Sequence, residues 1–194
     1  NHLGRYSEAA KSLIQSADIY RQLNDLQASG IGLNNLGSNY YAQGQYQEAL
    51  VYYADALDIA RKNGYRPLEG DIINNIGTVY SSQGRLDDAL TSFEQALRIA
   101  QEVGDRSSEA IRLLNIGSAY QDQGRYSEGI EYYMRALAIH RDTDDRAGEA
   151  RALNNIGAAY SNQGRYEEAL AEYMNALRIV QEIGYLKGIG ITLN

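Results

Sequence analysis

Cysteine is absent from this 194-residue chain, which excludes disulfide staples and thiolate metal sites. That absence fits a reducing compartment, and a cytoplasmic location is the expectation. Proline is nearly missing, with only Pro67, as expected where most residues sit in helices. Positive charge is in deficit: the net charge is −7 and the isoelectric point near 4.9, so no basic surface tracks phosphates. Nucleic acid is therefore not an expected partner. No apolar run reaches the roughly 18 residues of a membrane span. Nor does a signal-peptide pattern open the chain. The two histidines, His2 and His140, share no spacing with other ligand types that would suggest zinc. Neither a metal nor a cofactor is expected, and no nucleophile–base pair marks a catalytic site.

What the chain does contain is a block repeated every forty residues. Asn35-Leu36-Gly37-Ser38-Asn39-Tyr40 returns as Asn75-Ile76-Gly77-Thr78-Val79-Tyr80. It returns again as Asn115-Ile116-Gly117-Ser118-Ala119-Tyr120 and as Asn155-Ile156-Gly157-Ala158-Ala159-Tyr160. Four residues after each tyrosine stands a glycine: Gly44, Gly84, Gly124 and Gly164. A fixed period of this length marks a solenoid, whose units bury their apolar faces by stacking on one another.

Within one period the apolar spacing predicts two helices. Leu33, Leu36, Gly37 and Tyr40 fall at i, i+3, i+4 and i+7, one face of a first helix. Tyr46, Ala49, Leu50, Tyr53, Ala56, Leu57 and Ala60 continue the rule through a second. Gly44 between them supplies the positive φ of a tight turn. Gly64 and Gly104 close second helices in the same way, whereas Asp144 replaces glycine in the third repeat. Asp105 or a neighbour then starts the next helix with a side-chain acceptor. Glycine in mid-helix costs about 1 kcal/mol against alanine, so Gly37, Gly77, Gly117 and Gly157 need a packing reason. The aromatic of the paired helix, Tyr53, Phe93, Tyr133 or Tyr173, is expected over each gap.

The pattern Leu36, Gly37, Tyr40, Gly44, Tyr46, Ala49, Tyr53, Ala56 resembles the tetratricopeptide repeat. The forty-residue period resembles its long-repeat subclass, which includes the Pins/LGN scaffold proteins, kinesin light chains and bacterial arrays. That resemblance implies an all-α, right-handed superhelical solenoid of antiparallel helix pairs. Four full repeats occupy 25–64, 65–104, 105–144 and 145–184. Residues 1–24 read as the second helix of a truncated repeat, and 185–194 as the start of a further first helix. Both ends fall inside a repeat, so the chain reads as an excerpt of a longer array, with self-association through uncapped ends as one expectation.

The resemblance also implies that first helices line a concave, ligand-binding face. The residues on that face form a polar, mostly uncharged strip: Asn34, Asn35, Ser38 and Tyr41, then Asp71, Asn74, Asn75 and Thr78. Asn115, Ser118 and Gln121 follow in the third repeat, and Arg151, Asn154 and Asn155 in the fourth. Asparagine is a poor interior helix residue because its side chain competes for backbone hydrogen bonds. Its recurrence at 35, 75, 115 and 155 therefore calls for a role. A carboxamide offers a donor and an acceptor, matching the N–H and C=O of an extended peptide, and related repeat proteins clamp ligand backbones in this way. The competing reading is a ladder in which each asparagine bonds a neighbouring helix, and both can hold. Ile31, Ile111, Leu114, Arg112 and Asp122 would add apolar and charged contacts near the strip.

The expected function is thus a protein-interaction scaffold with a protein or peptide ligand and no catalytic residues. A sensor region of a larger signalling enzyme is the alternative. Arg5, Arg85, Arg125 and Arg165 read as i,i+3 partners of Glu8, Asp88, Glu128 and Glu168 rather than as an anion ridge. Arg106–Glu109 and Arg146–Glu149 read as surface pairs of the same kind. His140 stands where other repeats have Ala60, Ala100 and Val180, so packing is its expected role.

Overall fold

In a computed structural model the chain is described at Gln15 and over residues 19–192, and all regular structure there is helical. Among the described residues, 19–22 are helical and eight further helices follow the repeat: α1 (Leu26–Ala42), α2 (Tyr46–Lys62), α3 (Arg66–Ser82), α4 (Leu86–Val103), α5 (Arg106–Asp122), α6 (Tyr126–Asp142), α7 (Arg146–Asn162) and α8 (Tyr166–Thr192). They fall into two compact units, residues 1–103 and 104–194. Within each unit, successive helices pair as hairpins, and the first helices of consecutive pairs touch.

The expected turns are present. Gly44 takes φ +74°, a conformation that costs glycine nothing. Asp144 takes φ +53° in the equivalent turn, which aspartate tolerates better than most L-residues. Side-chain caps open three first helices: Asp25 accepts from the Ala28 amide, Asp105 from Ser108 and Asp145 from Gly148, at 2.9–3.0 Å. Helix α3 has no such cap and carries Pro67 in its first turn instead, where a missing N–H costs nothing.

The mid-helix glycines lie beneath the expected aromatics. A β-carbon at Gly37 would sit 2.6 Å from the Tyr53 ring, and one at Gly77 2.7 Å from Phe93. In the second unit the corresponding distances are 2.5 Å from Tyr133 at Gly117 and 2.9 Å from Tyr173 at Gly157. In the first unit Leu33, Ala49, Tyr53, Ala56, Ala60, Leu68, Ile72 and Val79 form one cluster, so the first helix α3 completes the core begun by α1 and α2.

Two departures from expectation concern charge and the final helix. Arg146 does pair with Glu149, but this is no surface pair: Glu149 is only 6% exposed. Its second oxygen accepts from Arg141 Nε of the preceding helix at 2.9 Å, and Arg146 reaches on to Glu182 at 2.6 Å. The first unit repeats the device, with buried Glu69 held by Arg61 at 3.0 Å and by Arg66, which also bonds Glu102. Each glutamate thus ties three consecutive helices together. Glu109, the partner of Arg106, is buried as well. The other departure is α8, which runs through Gly184 without the turn expected at 184/185. Gly184 is not among the positive-φ glycines, in keeping with a helix that continues through it.

Acid should weaken the second unit. Burial pushes the Glu149 carboxyl up, but the guanidinium groups of Arg141 and Arg146 outweigh it and hold it below the ordinary range. Asp145 is lowered by the Gly148 amide, against the effect of burial, and Asp105 by the Ser108 amide. Groups whose pKa falls on folding contribute stability that is complete above their unfolded pKa, about 4, and is lost as pH drops through the folded value. Thermal melts followed by circular dichroism should therefore show a midpoint that declines below about pH 4. Glu149→Gln should flatten that decline; an unchanged slope would show that the buried carboxylate does not contribute.

Candidate functional site

Residues on the outer face of the first helices are available to a ligand to different degrees. Asn35 is exposed, while Asn75, Asn115 and Asn155 are half-buried, so this column keeps access to solvent in both units. The ladder reading also holds at one step, where Asn75 Nδ2 donates to Asn34 Oδ1 of the neighbouring first helix at 3.0 Å. The second N–H on Asn75 Nδ2 and the second lone pair on Asn34 Oδ1 are not used by that bond. A second bridge between the same helices joins the hydroxyls of Tyr41 and Ser82 at 2.9 Å. Tyr41 is thus engaged in stacking the layers, with its ring tilted against Tyr46.

Hydroxyl groups along the strip are anchored locally. Ser38 Oγ donates to the Asn34 carbonyl at 3.1 Å and lies 3.1 Å from the Tyr53 hydroxyl. Thr78 bonds the Asn74 carbonyl in the same i−4 manner. Gln121 accepts from the Tyr133 hydroxyl at 3.3 Å, and Ser118, though exposed, bonds the same tyrosine. Ser38 and Gln121, bonded to the Tyr53 and Tyr133 hydroxyls, thus tie the outer strip to the aromatic rings covering the mid-helix glycines.

Three residues placed on the strip by spacing belong elsewhere. Asn74 is 8% exposed, sharing a stripe with buried Gly70 and Gly77 at i−4 and i+3, so it faces the core. Leu114 and Arg112 are likewise buried. Exposed on this face are Ile31 and Asp71 in the first unit, and Ile111 and Arg151 in the second; Asn154, in the register of Asn74, is exposed in the groove between α7 and α8 instead. The first unit therefore carries a negative charge there, Asp71, and the second carries both signs, Arg151 and Asp122.

The turn arginines pair as expected, Arg85 with Asp88 at 2.7 Å, Arg125 with Glu128 at 2.9 Å and Arg165 with Glu168 at 2.6 Å. Each guanidinium also lies over the tyrosine that ends the preceding helix, 4.2–4.4 Å from the rings of Tyr80, Tyr120 and Tyr160. Arg5 and Glu8 lie outside the described residues. This stacking went unforeseen, although the fixed Tyr-x4-Arg spacing carried the signal.

His140 packs, as its repeat position suggested. It is 4% exposed, its Nδ1 lies 2.9 Å from Asp145 Oδ2, and its Nε2 has no hydrogen-bond partner among the described residues. No group of three or more His, Cys, Asp or Glu side chains among the described residues could hold a metal ion. No helix among them is long and apolar enough to cross a membrane.

A family model described as tetratricopeptide repeat matches residues 1–62, 29–102 and 107–182. The chain belongs to the tetratricopeptide repeat family. No curated protein matches the sequence. Solved structures share the fold. Tetratricopeptide-like repeats of a kinesin light chain from Podosopora anserina match with a TM-score of 0.72 at 20% identity, over 94% of this chain and 90% of that one. A Rap protein complexed with competence and sporulation factor matches with a TM-score of 0.74 at 22% identity, over 92% of this chain and 52% of that one. A signal transduction ATPase with a tetratricopeptide repeat sensor, from Pyrococcus horikoshii, gives 0.74 at 20% identity, over 84% of this chain and 25% of that one. The chain thus spans about half of the Rap protein and a quarter of the ATPase.

Proposed function

We propose that this tetratricopeptide repeat chain is a protein-interaction module whose first helices bind a peptide segment of a partner. The reading rests on the solvent-accessible asparagine column, at a helix position where asparagine has no intrinsic advantage. Carboxamides in a row supply alternating donors and acceptors for a main chain, and the exposed side chains between them select its sequence. Asp71 and Ile31 in the first unit favour a basic or apolar residue; Arg151 in the second favours an acidic one. The Rap relative, complexed with competence and sporulation factor, supports a ligand-binding role for this type of array. The long-repeat subclass rests on the forty-residue period and belongs to the same proposal.

Asparagine substitution tests it. Each clamp bond contributes about 0.5–1.5 kcal/mol net, so Asn35→Ala combined with Asn75→Ala, both in the first unit, should weaken a captured peptide about 5- to 150-fold. The measurement is titration of peptides selected from an array by the unmodified chain. Undiminished affinity in the double variant would remove the clamp. A second reading, a sensor region within a larger signalling protein, is favoured by the relative whose tetratricopeptide repeats are named as a sensor. Both readings require ligand capture by the same face.

A further inference from the structure

Three hairpin turns hold a guanidinium between a tyrosine ring and a carboxylate, and the α1–α2 turn does not. Arg85, Arg125 and Arg165 each lie over the tyrosine five residues earlier and bond the acid three residues later. At the α1–α2 turn the tyrosine and the acid are kept, as Tyr40 and Glu48, but Gln45 stands in the arginine's place. The backbone is the same. Gly44 takes φ +74° where Gly84, Gly124 and Gly164 take +73°, +76° and +75°. The Gln45 amide donates to the Tyr40 carbonyl at 3.0 Å, as Arg85, Arg125 and Arg165 donate to Tyr80, Tyr120 and Tyr160 at 2.9–3.0 Å.

The rings beside this position match as well. Tyr40 stacks on Tyr52 with centroids 5.1 Å apart and planes 11° from parallel, and Tyr120 stacks on Tyr132 at 5.3 Å and 22°. The Tyr120–Tyr132 pair carries two guanidinium groups, Arg125 over Tyr120 and Arg135 over Tyr132 at 5.1 Å. Their counterparts in the first unit are Gln45 and Asp55. Tyr40 and Tyr52 thus keep the aromatic platform, lose both cations and gain a carboxylate. Burial raises the pKa of the Tyr52 hydroxyl, and the nearby charge of Asp55 adds to that rise. Glu48 and Asp55 are exposed and form no ion pair among the described residues.

We propose that this platform receives an arginine side chain of a partner polypeptide, with the guanidinium over Tyr40 and bonded to Glu48. The chain's own arginines display that chemistry at the other three turns. A flat cation is attracted to the negative face of a tyrosine ring while its N–H groups donate to a carboxylate. Gln45 is exposed and neutral, so it opposes the incoming group with no charge of its own. Asp55 places a second negative charge beside Tyr52, which suits a segment carrying more than one arginine. Lysine fits less well, because a compact ammonium has no plane to stack. The site does not rest on peptide capture by the asparagine column.

The probe is a capped arginine-glycine-arginine peptide, titrated into the isotope-labelled 194-residue chain and followed by amide chemical shifts. Saturable shifts centred on residues 40–52 are expected, and their absence overturns the proposal. Gln45→Arg supplies the guanidinium from within, as three other turns already do, and should weaken the probe about 5- to 30-fold. Gln47→Arg adds the same charge at an exposed neighbour and should weaken it far less. Equal weakening by the two variants would mean diffuse charge attraction rather than a seat on the ring, and undiminished binding to Gln45→Arg would place the probe elsewhere; either result overturns the site. Arg125→Gln should add a second set of shifts around Tyr120, where the matching ring pair is uncovered. The corresponding lysine-glycine-lysine peptide should bind more weakly, and equal affinity would again reduce the effect to charge. Asn35→Ala with Asn75→Ala should leave the arginine peptide's affinity unchanged, whereas a loss would assign that peptide to the asparagine column and refute a separate site.

Discussion

Gly117→Leu should unfold the α5–α6 hairpin at much lower urea than the unmodified chain, with a loss of about 3 kcal/mol or more. Even the first carbon of a side chain there would lie 2.5 Å from the Tyr133 ring and 3.0 Å from the Gly129 carbonyl oxygen. The ring has nowhere to go. Tyr133 is 1% exposed, and its hydroxyl is bonded to Gln121, so movement would break a hydrogen bond as well as packing. Relief by separating the helices would uncover Ile116, Ala136 and their neighbours, all buried. Lys62→Ala is the control: its ammonium pairs with Asp58 at an exposed site, and such pairs contribute about 0–1 kcal/mol. Comparable urea midpoints for the two variants would refute the close-approach account of the mid-helix glycines.

That account was legible before any coordinates, because the glycine and its covering aromatic recur together four times. The hairpin turns and aspartate caps were equally readable, since each depends on one residue type at one place. Burial of charge was not. Arg146–Glu149 has the i,i+3 spacing of countless exposed pairs, and spacing alone is silent about depth. The missed signal was recurrence: Glu69, Glu109 and Glu149 occupy one register position, and Arg61 and Arg141 stand eight residues earlier in two of the repeats. Asn74 illustrates the opposite limit. It lies one residue from the Asn75 column, and a turn of about 100° per residue moves it from the accessible strip to the core stripe of Gly70 and Gly77. Adjacent asparagines share composition but not a face. The continuity of α8 was illegible for a different reason: Gly184 stands in the register of Gly64 and Gly104, and glycine permits a positive φ without requiring it.

Size exchange between neighbouring helices leads to the other large effect. Gly148→Leu alone should cost about 3 kcal/mol or more, because its side chain would enter the volume of the His140 imidazole. His140→Ala alone should cost about 2–3 kcal/mol, as removal of a buried ring leaves a cavity. Together they restore the residue pair of the first unit, where Ala60 and Leu68 are both buried in one cluster. Asp145 is a further obstacle, since its carboxylate also borders the space above Gly148. Its position is set partly by His140 Nδ1, so the histidine's loss frees it to turn. Asp25 shows that an aspartate cap accommodates a β-carbon at this site, accepting the Ala28 amide at 3.0 Å. The double variant should therefore lie within about 1 kcal/mol of the unmodified chain, a coupling of several kcal/mol that independent sites never give. Urea denaturation of all four forms measures it directly. Additive losses would mean that the two junctions are built on different backbones and that matched volumes at 60/68 and 140/148 are coincidental.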